Sequence, residues 1–372
     1  MKITLIGGPR VIMSNPLSRH NYFGWPSAAR LKNGRIAVAA SGFRERHICP
    51  FGKAVVSFSE DEGESYSPPA PVIDTVLDDR DAGVVPFGES SLILTSFNNT
   101  VEFQRQCIGQ RIAANGTQPD SAAAYDAAYL DTVSPEAQAA VLGSTFRISR
   151  DNGVTFGELH ISPVTSPHGP LELPDGTLLW VGTMFALKDE NRGGNTVKAY
   201  RIYPADGRTE YVGEIENVTV DGELPLSCEP HAVLLPDGRI VAHIRVQTDG
   251  ERKLFTVFQS VSDDLGRTWS VPRQLLPQLG GSPPHLLLHS SGMLLSAYGF
   301  REKPYGIKVM FSRDGGEIWD VGHDIYVTDA SPDLGYPATV ELRDGSLLTV
   351  FYARTSTDGP AVIMQQKWSF EP

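Results

Sequence analysis

The stretch Glu229–Arg245, EPHAVLLPDGRIVAHIR, decides the fold because its pattern returns five more times along the chain. A polar or aromatic residue, often beside proline, opens each copy, and two apolar runs follow with a turn between them. The other copies are WPSAARLKNGRIAVAAS from Trp25, DAGVVPFGESSLILTSF from Asp81, HGPLELPDGTLLWVGTM from His168, PPHLLLHSSGMLLSAYG from Pro283 and YPATVELRDGSLLTVFY from Tyr336. Most copies lie about 50 to 60 residues apart, and the second gap is longer.

Each copy is interpreted as two β-strands joined by a tight turn, often Asp-Gly, Asn-Gly or Ser-Gly. One such sheet cannot bury both of its faces alone, whereas sheets packed around a common axis can. Six copies therefore predict an all-β, six-bladed β-propeller that forms one domain over residues 1–372. The strand-like runs LIGGPRVIMS near the start and PAVIMQQKWSF at the end are expected to share the last blade.

Residues 99–145 interrupt the regular spacing and are interpreted as an insertion in the second blade. Within them, SAAAYDAAYLDTVSPEAQAAVLG is rich in alanine and has few β-branched residues, which predicts one or two short helices. The insertion is a decoration of the rim, a lid or an oligomer contact; the sequence leaves these alternatives open.

A second motif, Ser-x-Asp-x-Gly-x-Thr-aromatic, begins at Ser59, Ser149, Ser262 and Ser312, with Ser65 and Ile318 at the Thr position of the first and last copies. Its aspartate is expected to accept hydrogen bonds from backbone and hydroxyl groups of a tight turn, while the glycine takes a positive φ. This pattern is similar to the Asp box, also called the bacterial neuraminidase repeat. We expect the boxes to lie on outer hairpins as structural devices that take no part in chemistry.

Composition excludes several classes of function. The net charge is −12 and no Lys/Arg-rich run is present, so a nucleic-acid partner is not expected. The sequence has no apolar run of the roughly 18 residues that a membrane span needs. The first apolar run is too short for a signal peptide, which predicts a cytoplasmic protein, or a secreted or periplasmic one whose leader was removed. Three cysteines do not form a disulfide framework, and no cofactor motif is found.

The residues that open the six repeats are candidates for a functional site. In a propeller the first strand of each blade lines the central channel, so these residues are expected to meet at one end of it. They comprise two carboxylates, three imidazoles, a phenol and an indole, at Trp25, Asp81, His168, Glu229, His231, His285 and Tyr336. Packing alone does not require so many ionisable groups at equivalent points, which favours a functional site.

Over nearly its whole length the chain resembles the sialidases, in which a tyrosine nucleophile is activated by a glutamate and three arginines bind the substrate carboxylate. GYPATVELRDGSLLTVFYAR resembles the nucleophile segment, which implies that role for Tyr336. CEPHAVLLPDGRIVAHIR resembles the segment with the glutamate and the second arginine, which implies Glu229 and Arg245. The third arginine is implied at Arg301 in AYGFREKPYG. A phenol, with its pKa near 10, needs such a base beside it.

Two segments depart from the sialidase pattern. NYFGWPSAARL has Gly24 where the resemblance implies the first arginine, and the loop GFRERHICPFGK lacks the expected acid/base aspartate. That loop offers Arg44 and Arg46, whose guanidinium groups can grip an anion through paired hydrogen bonds. It also offers His47 as a proton donor, and Asp81 is the alternative acid.

These departures concern the substrate more than the reaction. They shift the expectation from sialic acid to another ulosonic acid, a uronic acid or a neutral terminal sugar. The first hypothesis is a retaining exo-glycosidase that acts on a glycan or oligosaccharide, with Trp25 and the three histidines in substrate binding. The second is a propeller lyase or hydrolase that uses His168, His231 and His285, which could hold a divalent metal, although our prediction is a site without metal. The third is a non-catalytic carbohydrate-binding propeller. The oligomeric state stays open.

Overall fold

Six antiparallel sheets surround a central axis in the computed structural model, which describes residues 1–115, 121–184, 196–248, 254–276 and 280–371. The chain begins with β1 (Lys2–Met13), which belongs to the last blade. Blade 1 contains β2 (Tyr22–Arg30), β3 (Ile36–Arg44), β4 (Lys53–Ser59) and β5 (Ala70–Ile73). Blade 2 contains β6 (Arg80–Phe87), β7 (Ser91–Phe97), β8 (Ser144–Ser149) and β9 (His160–Ser162). Blade 3 contains β10 (Val164–Thr165), β11 (Leu171–Glu172), β12 (Leu178–Met184), β13 (Val197–Tyr203) and β14 (Arg208–Ile215).

The other three blades follow the same order. Blade 4 contains β15 (Leu226–Leu234), β16 (Ile240–Gln247), β17 (Phe255–Ser262) and β18 (Arg273–Gln274). Blade 5 contains β19 (Gly281–Leu288), β20 (Leu294–Phe300), β21 (Tyr305–Ser312) and β22 (Asp320–Thr328). Blade 6 contains β23 (Leu334–Glu341), β24 (Leu347–Arg354) and β25 (Ala361–Glu371), with β1 as its outermost strand. The predicted six-bladed propeller is confirmed.

The two ends of the chain close the ring, as the sequence predicts. Strand β1 pairs antiparallel with β25, from Lys2 opposite Glu371 to Met13 opposite Ile363. A hydrophobic cluster fills each of the six interfaces between neighbouring blades, including the one between blades 6 and 1 that contains Trp25 and Val340. Apolar burial between blades therefore continues around the whole ring.

The insertion in blade 2 contains three helices, α1 (Val101–Asn115), α2 (Ser121–Leu130) and α3 (Pro135–Val141). The alanine-rich segment forms α2 and α3, whereas α1 lies outside it and was not expected. Helix α1 gains stability from a tertiary contact, since Ile108 packs against Ala123 and Leu130 of α2. None of the helices in the described ranges is long and apolar enough to cross a membrane.

Antiparallel pairing decides which loops share an end of the ring. Second strands end where first strands begin, so the loop after each second strand lies beside the residues that open the repeats. We call this the entrance end, and the three helices, which join β7 to β8, lie there. The turns between third and fourth strands lie at the opposite end.

The four Asp boxes occupy those opposite turns, in blades 1, 2, 4 and 5. In the first box Asp61 accepts hydrogen bonds from Ser59 Oγ at 2.8 Å and from the Ser65 amide at 2.8 Å. Gly63, with φ +80°, donates its amide to Ser59 Oγ at 2.8 Å. The expected turn geometry and outer position are both confirmed.

Candidate functional site

The residues that open four of the blades share one unusual backbone conformation. Trp25, Asp81, Glu229 and Tyr336 have φ values of 52°, 49°, 49° and 50°. At each of them the pairing of first and second strands slips by one residue, which is a β-bulge. A left-handed backbone costs a non-glycine residue about 1–2 kcal/mol. The bulge re-aims one side chain in each of these four blades. We call Trp25, Asp81, Glu229 and Tyr336 the entrance group.

Tyr336 and Glu229 form the central contact of this group. The Tyr336 hydroxyl donates to Glu229 Oε1 at 2.6 Å, and Arg245 donates to Glu229 Oε2 at 2.7 Å. Arg245 is itself held by Gln247, whose Oε1 accepts from Nε at 3.0 Å and from Nη2 at 2.6 Å. The carboxylate is therefore fixed from both sides, with one oxygen directed at the phenol.

The surroundings of Tyr336 favour its protonated form. Burial raises the pKa of Tyr336 well above its usual value of 10, and the negative charges of Glu229 and Asp81 raise it further. The positive charges of Arg245 and Arg301 act in the opposite direction. The phenol can lose its proton only if a base takes it at the same time, and Glu229 Oε1 is in hydrogen-bond contact.

Asp81 has an environment that differs from that of Glu229. The residue is 6% exposed, and Asp81 Oδ1 is buried without a hydrogen-bond partner among the described residues. Burial raises the pKa of Asp81 to about 7, Arg80 opposes that rise, and the charge of Glu229 adds to it. A carboxyl group in this state exchanges a proton near neutral pH.

His47, the other candidate acid, is constrained by Arg80. Arg80 Nη1 donates to the His47 carbonyl at 3.0 Å and Nη2 lies 3.2 Å from His47 Nε2. A guanidinium has no acceptor, so Nε2 must accept and the ring carries its proton on Nδ1. His47 is exposed at the rim, yet the protein packed around its ring and the charge of Arg80 lower its pKa to about 2.

The structure places Trp25 and Arg44 beneath the site. Trp25 is 1% exposed and contacts His47 and Tyr336 edge-on, with ring centroids 4.8 and 6.5 Å apart. Arg44 is fully buried, forms an ion pair with Asp78 at 2.5 Å, and donates to the His47 carbonyl at 2.8 Å. Direct contact between Arg44 and a substrate does not fit this burial. Arg46 lies nearer the surface and donates to Glu45 at 3.2 Å.

Arg301 lies beside Arg245, since both guanidinium groups face the ring of Phe255 at 5.5 and 4.7 Å. Arg301 donates to the Leu334 carbonyl at 3.1 Å and to the Tyr352 hydroxyl at 3.3 Å. In the part of the chain that the structure describes, Arg301 has no carboxylate partner. Two cations on one aromatic ring, with several N–H groups unused, suit an anionic ligand.

Sequence reasoning missed Arg354, which ends the second strand of blade 6. Arg354 follows Gly345 of its hairpin turn by nine residues, as Arg301 follows Gly292, and this shared spacing is the signal that could have found it. Arg354 Nε donates to Asp333 Oδ2 at 2.8 Å.

Side chains from two blades fill the space around Gly24. A Cβ atom at Gly24 would lie 3.2 Å from the ring of Tyr22 and 3.8 Å from that of Tyr352. Both hydroxyls donate to Asp333, from Tyr352 at 3.0 Å and from Tyr22 at 3.3 Å. A polar group of two phenols and a carboxylate thus surrounds the position where the family resemblance implies an arginine.

The three histidines form a separate group inside the channel. His231 and His285 stack with centroids 4.5 Å apart, and His168 meets them edge-on at 5.3 and 4.8 Å. Among the described residues, no hydrogen bond or ring contact joins these channel histidines to Glu229 or Tyr336. The sequence predicts that all seven opening residues meet at one site. They instead form two separate groups, the entrance group and the channel histidines.

Hydrogen bonds fix the tautomers of two channel histidines. The Leu286 amide donates to His231 Nδ1 at 2.9 Å, and the Thr339 amide donates to His285 Nδ1 at 3.3 Å. Both Nε2 atoms then carry the proton and cannot ligate a metal as neutral imidazoles. Burial lowers the pKa of His231 to about 3, so it stays neutral near pH 7. Within the described ranges no group of His, Cys, Asp and Glu has a metal-binding arrangement.

Comparison with known proteins supports the fold. A model of the BNR repeat-like domain family matches residues 129–349. A search against curated proteins finds no significant match. A protein of unknown function from Dyadobacter fermentans superposes with a TM-score of 0.72 at 19% identity, covering 99% of both chains. The NanB sialidase from Streptococcus pneumoniae superposes with a TM-score of 0.66 at 12% identity, over 96% of this chain and 70% of that one. A leech intramolecular trans-sialidase gives 0.63 at 14% identity, over 95% and 69%.

Proposed function

The chain belongs to the BNR repeat-like domain family, and from its entrance group we propose that it is a retaining exo-glycosidase acting on a glycan that ends in an acidic sugar. One observation carries this proposal. The Tyr336 hydroxyl and Glu229 Oε1 lie 2.6 Å apart on bulges of different blades, and Arg245 holds the second carboxylate oxygen. This is the geometry of a nucleophile with its base.

In the first step Tyr336 Oη attacks the anomeric carbon while Glu229 accepts the phenol proton. The bond from the anomeric carbon to the leaving oxygen breaks, and Asp81 protonates that oxygen. The product is a tyrosyl glycoside with the sugar inverted at its anomeric carbon. A neutral phenol suits this task because it does not repel an anionic sugar as a carboxylate nucleophile would.

In the second step water attacks the same carbon from the face that the leaving group vacated. Asp81, now ionised, accepts a proton from this water, and Glu229 returns its proton to Tyr336 Oη as the covalent bond breaks. Two inversions give net retention. Asp81 fits this double role better than His47, because the pKa of Asp81 lies at about 7, whereas His47 Nε2 accepts a hydrogen bond from Arg80 Nη2.

Arg245 and Arg301 are proposed to bind the substrate carboxylate, with Arg354 as a third cation at the equivalent position of the next blade. Arg301 supports this role most directly, because it lacks a carboxylate partner among the described residues. Arg44 is proposed as a positioning residue that holds the loop carrying Arg46 and His47. These positive charges favour a substrate that ends in an acidic sugar.

The test is a panel of glycosyl fluorides of ulosonic, uronic and neutral sugars, assayed by fluoride release. We expect turnover of an acidic member and a product whose first-formed anomer, followed by NMR, has the configuration of the substrate. Tyr336→Phe should lower kcat by a factor of order 10² or more, because the phenyl ring cannot form the covalent bond. Unchanged turnover in Tyr336→Phe would sink the proposal, and an unsaturated product would indicate a lyase.

A metal-dependent reaction at the channel histidines gains no support from their contacts. The backbone amides that donate to Nδ1 of His231 and His285 leave the proton of each neutral ring on Nε2. We assign His231 and His285 to the interior of the ring, where His231 joins blade 4 to blade 5 and His285 joins blade 5 to blade 6.

A further inference from the structure

Arg80 fixes which nitrogen of the His47 imidazole carries the proton. Arg80 Nη2 lies 3.2 Å from His47 Nε2 and can only donate, so Nε2 accepts and the proton is on Nδ1. His47 is exposed, and its Nδ1 has no hydrogen-bond partner among the described residues. In the proposed mechanism Asp81 transfers the protons, so this N–H group of His47 is unused.

Buried charges hold the backbone of the loop that carries His47. The His47 carbonyl accepts from Arg44 Nη2 at 2.8 Å and from Arg80 Nη1 at 3.0 Å. Asp78, which is fully buried, pairs with Arg44 at 2.5 Å and accepts from the Cys49 amide at 3.2 Å. Two guanidinium groups and one carboxylate therefore fix the chain around His47, which keeps its imidazole in place at the entrance end.

His47 is close both to the nucleophile and to the arginines that are proposed to bind the substrate. The Trp25 ring contacts His47 and Tyr336, with ring centroids 4.8 and 6.5 Å away. One aromatic ring thus separates His47 from the nucleophile, a gap that a single sugar unit can span. Burial lowers the pKa of His47, and so do the charges of four arginines from four blades, Arg80, Arg44, Arg301 and Arg354. An anion beside this imidazole is stabilised, whereas a further cation would be repelled.

We propose that the neutral His47 ring donates its Nδ1–H to the substrate carboxylate and takes the place of the arginine that the family resemblance implies at Gly24. Gly24 precedes Trp25, whose ring contacts the imidazole. A neutral donor adds a hydrogen bond to the carboxylate without adding a fifth cation beside four guanidinium groups. This inference rests on the proposed function and deepens it, because it names a residue that selects an acidic sugar over its uncharged counterpart.

The test measures binding of free acidic sugars by calorimetry. The ligands are N-acetylneuraminate, D-glucuronate and the methyl ester of each, which lacks the negative charge. None of them has a glycosidic bond to a leaving group, so their binding is measurable whether or not the protein is a hydrolase. His47→Leu should weaken binding of the acid that the wild type prefers by about tenfold or more, and binding of its ester by less than about threefold. His47→Asn should keep the acid within about threefold of the wild type, because its amide nitrogen replaces Nδ1 as a donor.

His20→Leu is the matched control for these variants. The His20 ring packs edge-on against Phe51 at the end of the same loop, with centroids 5.5 Å apart. Equal losses for acid and ester in His47→Leu, an equal loss in His20→Leu, or no binding of either acid overturns the inference. Binding that depends on His47 in a protein that cleaves no glycosyl fluoride would overturn the proposed hydrolysis and leave this inference standing.

NMR of protein labelled with ¹⁵N-histidine measures the tautomer directly. The His47 signals, assigned by their loss in His47→Asn, should show a proton on Nδ1 and no titration between pH 5 and pH 8. A proton on Nε2, or titration near the ordinary histidine pKa of about 6.5, contradicts the proposed role.

Discussion

The raised pKa of Asp81 predicts a pH dependence of stability that does not require a known substrate. Asp81 titrates at about 7 in the folded protein against an ordinary value of 3.8. The folded state therefore binds this proton more tightly than the unfolded chain, and stability falls as the pH rises from about 4 through 7. The full loss is about 4 kcal/mol, of which about 2.5 kcal/mol falls between pH 5 and pH 8.

Replacing Asp81 by Asn removes this titration and keeps the shape of the side chain. Urea unfolding of both proteins at pH 5, 6, 7 and 8 gives their free energies of unfolding. Relative to the wild type, Asp81→Asn should gain about 2.5 kcal/mol between pH 5 and pH 8. Asp79, whose burial also raises its pKa to about 7, is present in both proteins and cancels in the comparison.

A second variant tests why the pKa of Asp81 is raised. Glu229 contributes to the raised pKa of Asp81, so in Glu229→Gln the pH range of the loss should move to lower values. The reasoning is refuted if wild type and Asp81→Asn change in parallel between pH 5 and pH 8.

Two further predictions concern the channel and the outer turns. Burial lowers the pKa of His231 to about 3, so unfolding takes up a proton below the ordinary histidine pKa of 6.5. Between pH 6 and pH 4 the free energy of unfolding, measured in urea, should therefore change less steeply in His231→Gln, by about 1.2 kcal/mol per pH unit. An unchanged slope would contradict this. Asp264 accepts from Ser262 Oγ at 2.9 Å and from the Thr268 amide at 2.8 Å, so Asp264→Ala should lower the Tm measured by calorimetry while kcat/KM stays unchanged. Lost activity well below that Tm would show that the box does more than hold a turn.

The repeat contained most of the information about the fold. Turn residues and alternating apolar positions are local, so six hairpins and four Asp boxes could be predicted by inspection. Ring closure followed from the strand-like ends, and β1 pairs with β25 as expected. Helix α1 was missed because its apolar contact, Ile108 with Leu130, lies across the insertion rather than within the helix.

The candidate site could be predicted only in part. The family resemblance implied Glu229 and Tyr336, and these two side chains do lie in contact. Arg44 looked like an anion-binding residue in the sequence, but Asp78 from a distant segment pairs with it in the interior. His47 was predicted to be a proton donor. In the structure Arg80, from the next blade, donates to His47 Nε2, so this atom is an acceptor.

The sequence by itself determined the number of blades, the turns and the residues that open each repeat, because these depend on neighbours along the chain. Only the tertiary structure decided which of those side chains meet. A β-bulge re-aims each member of the entrance group by slipping the register of two strands. The charge state of Asp81 depends on burial and on Glu229 from another blade. Burial and electrostatic fields come from the whole ring, and no local pattern encodes them.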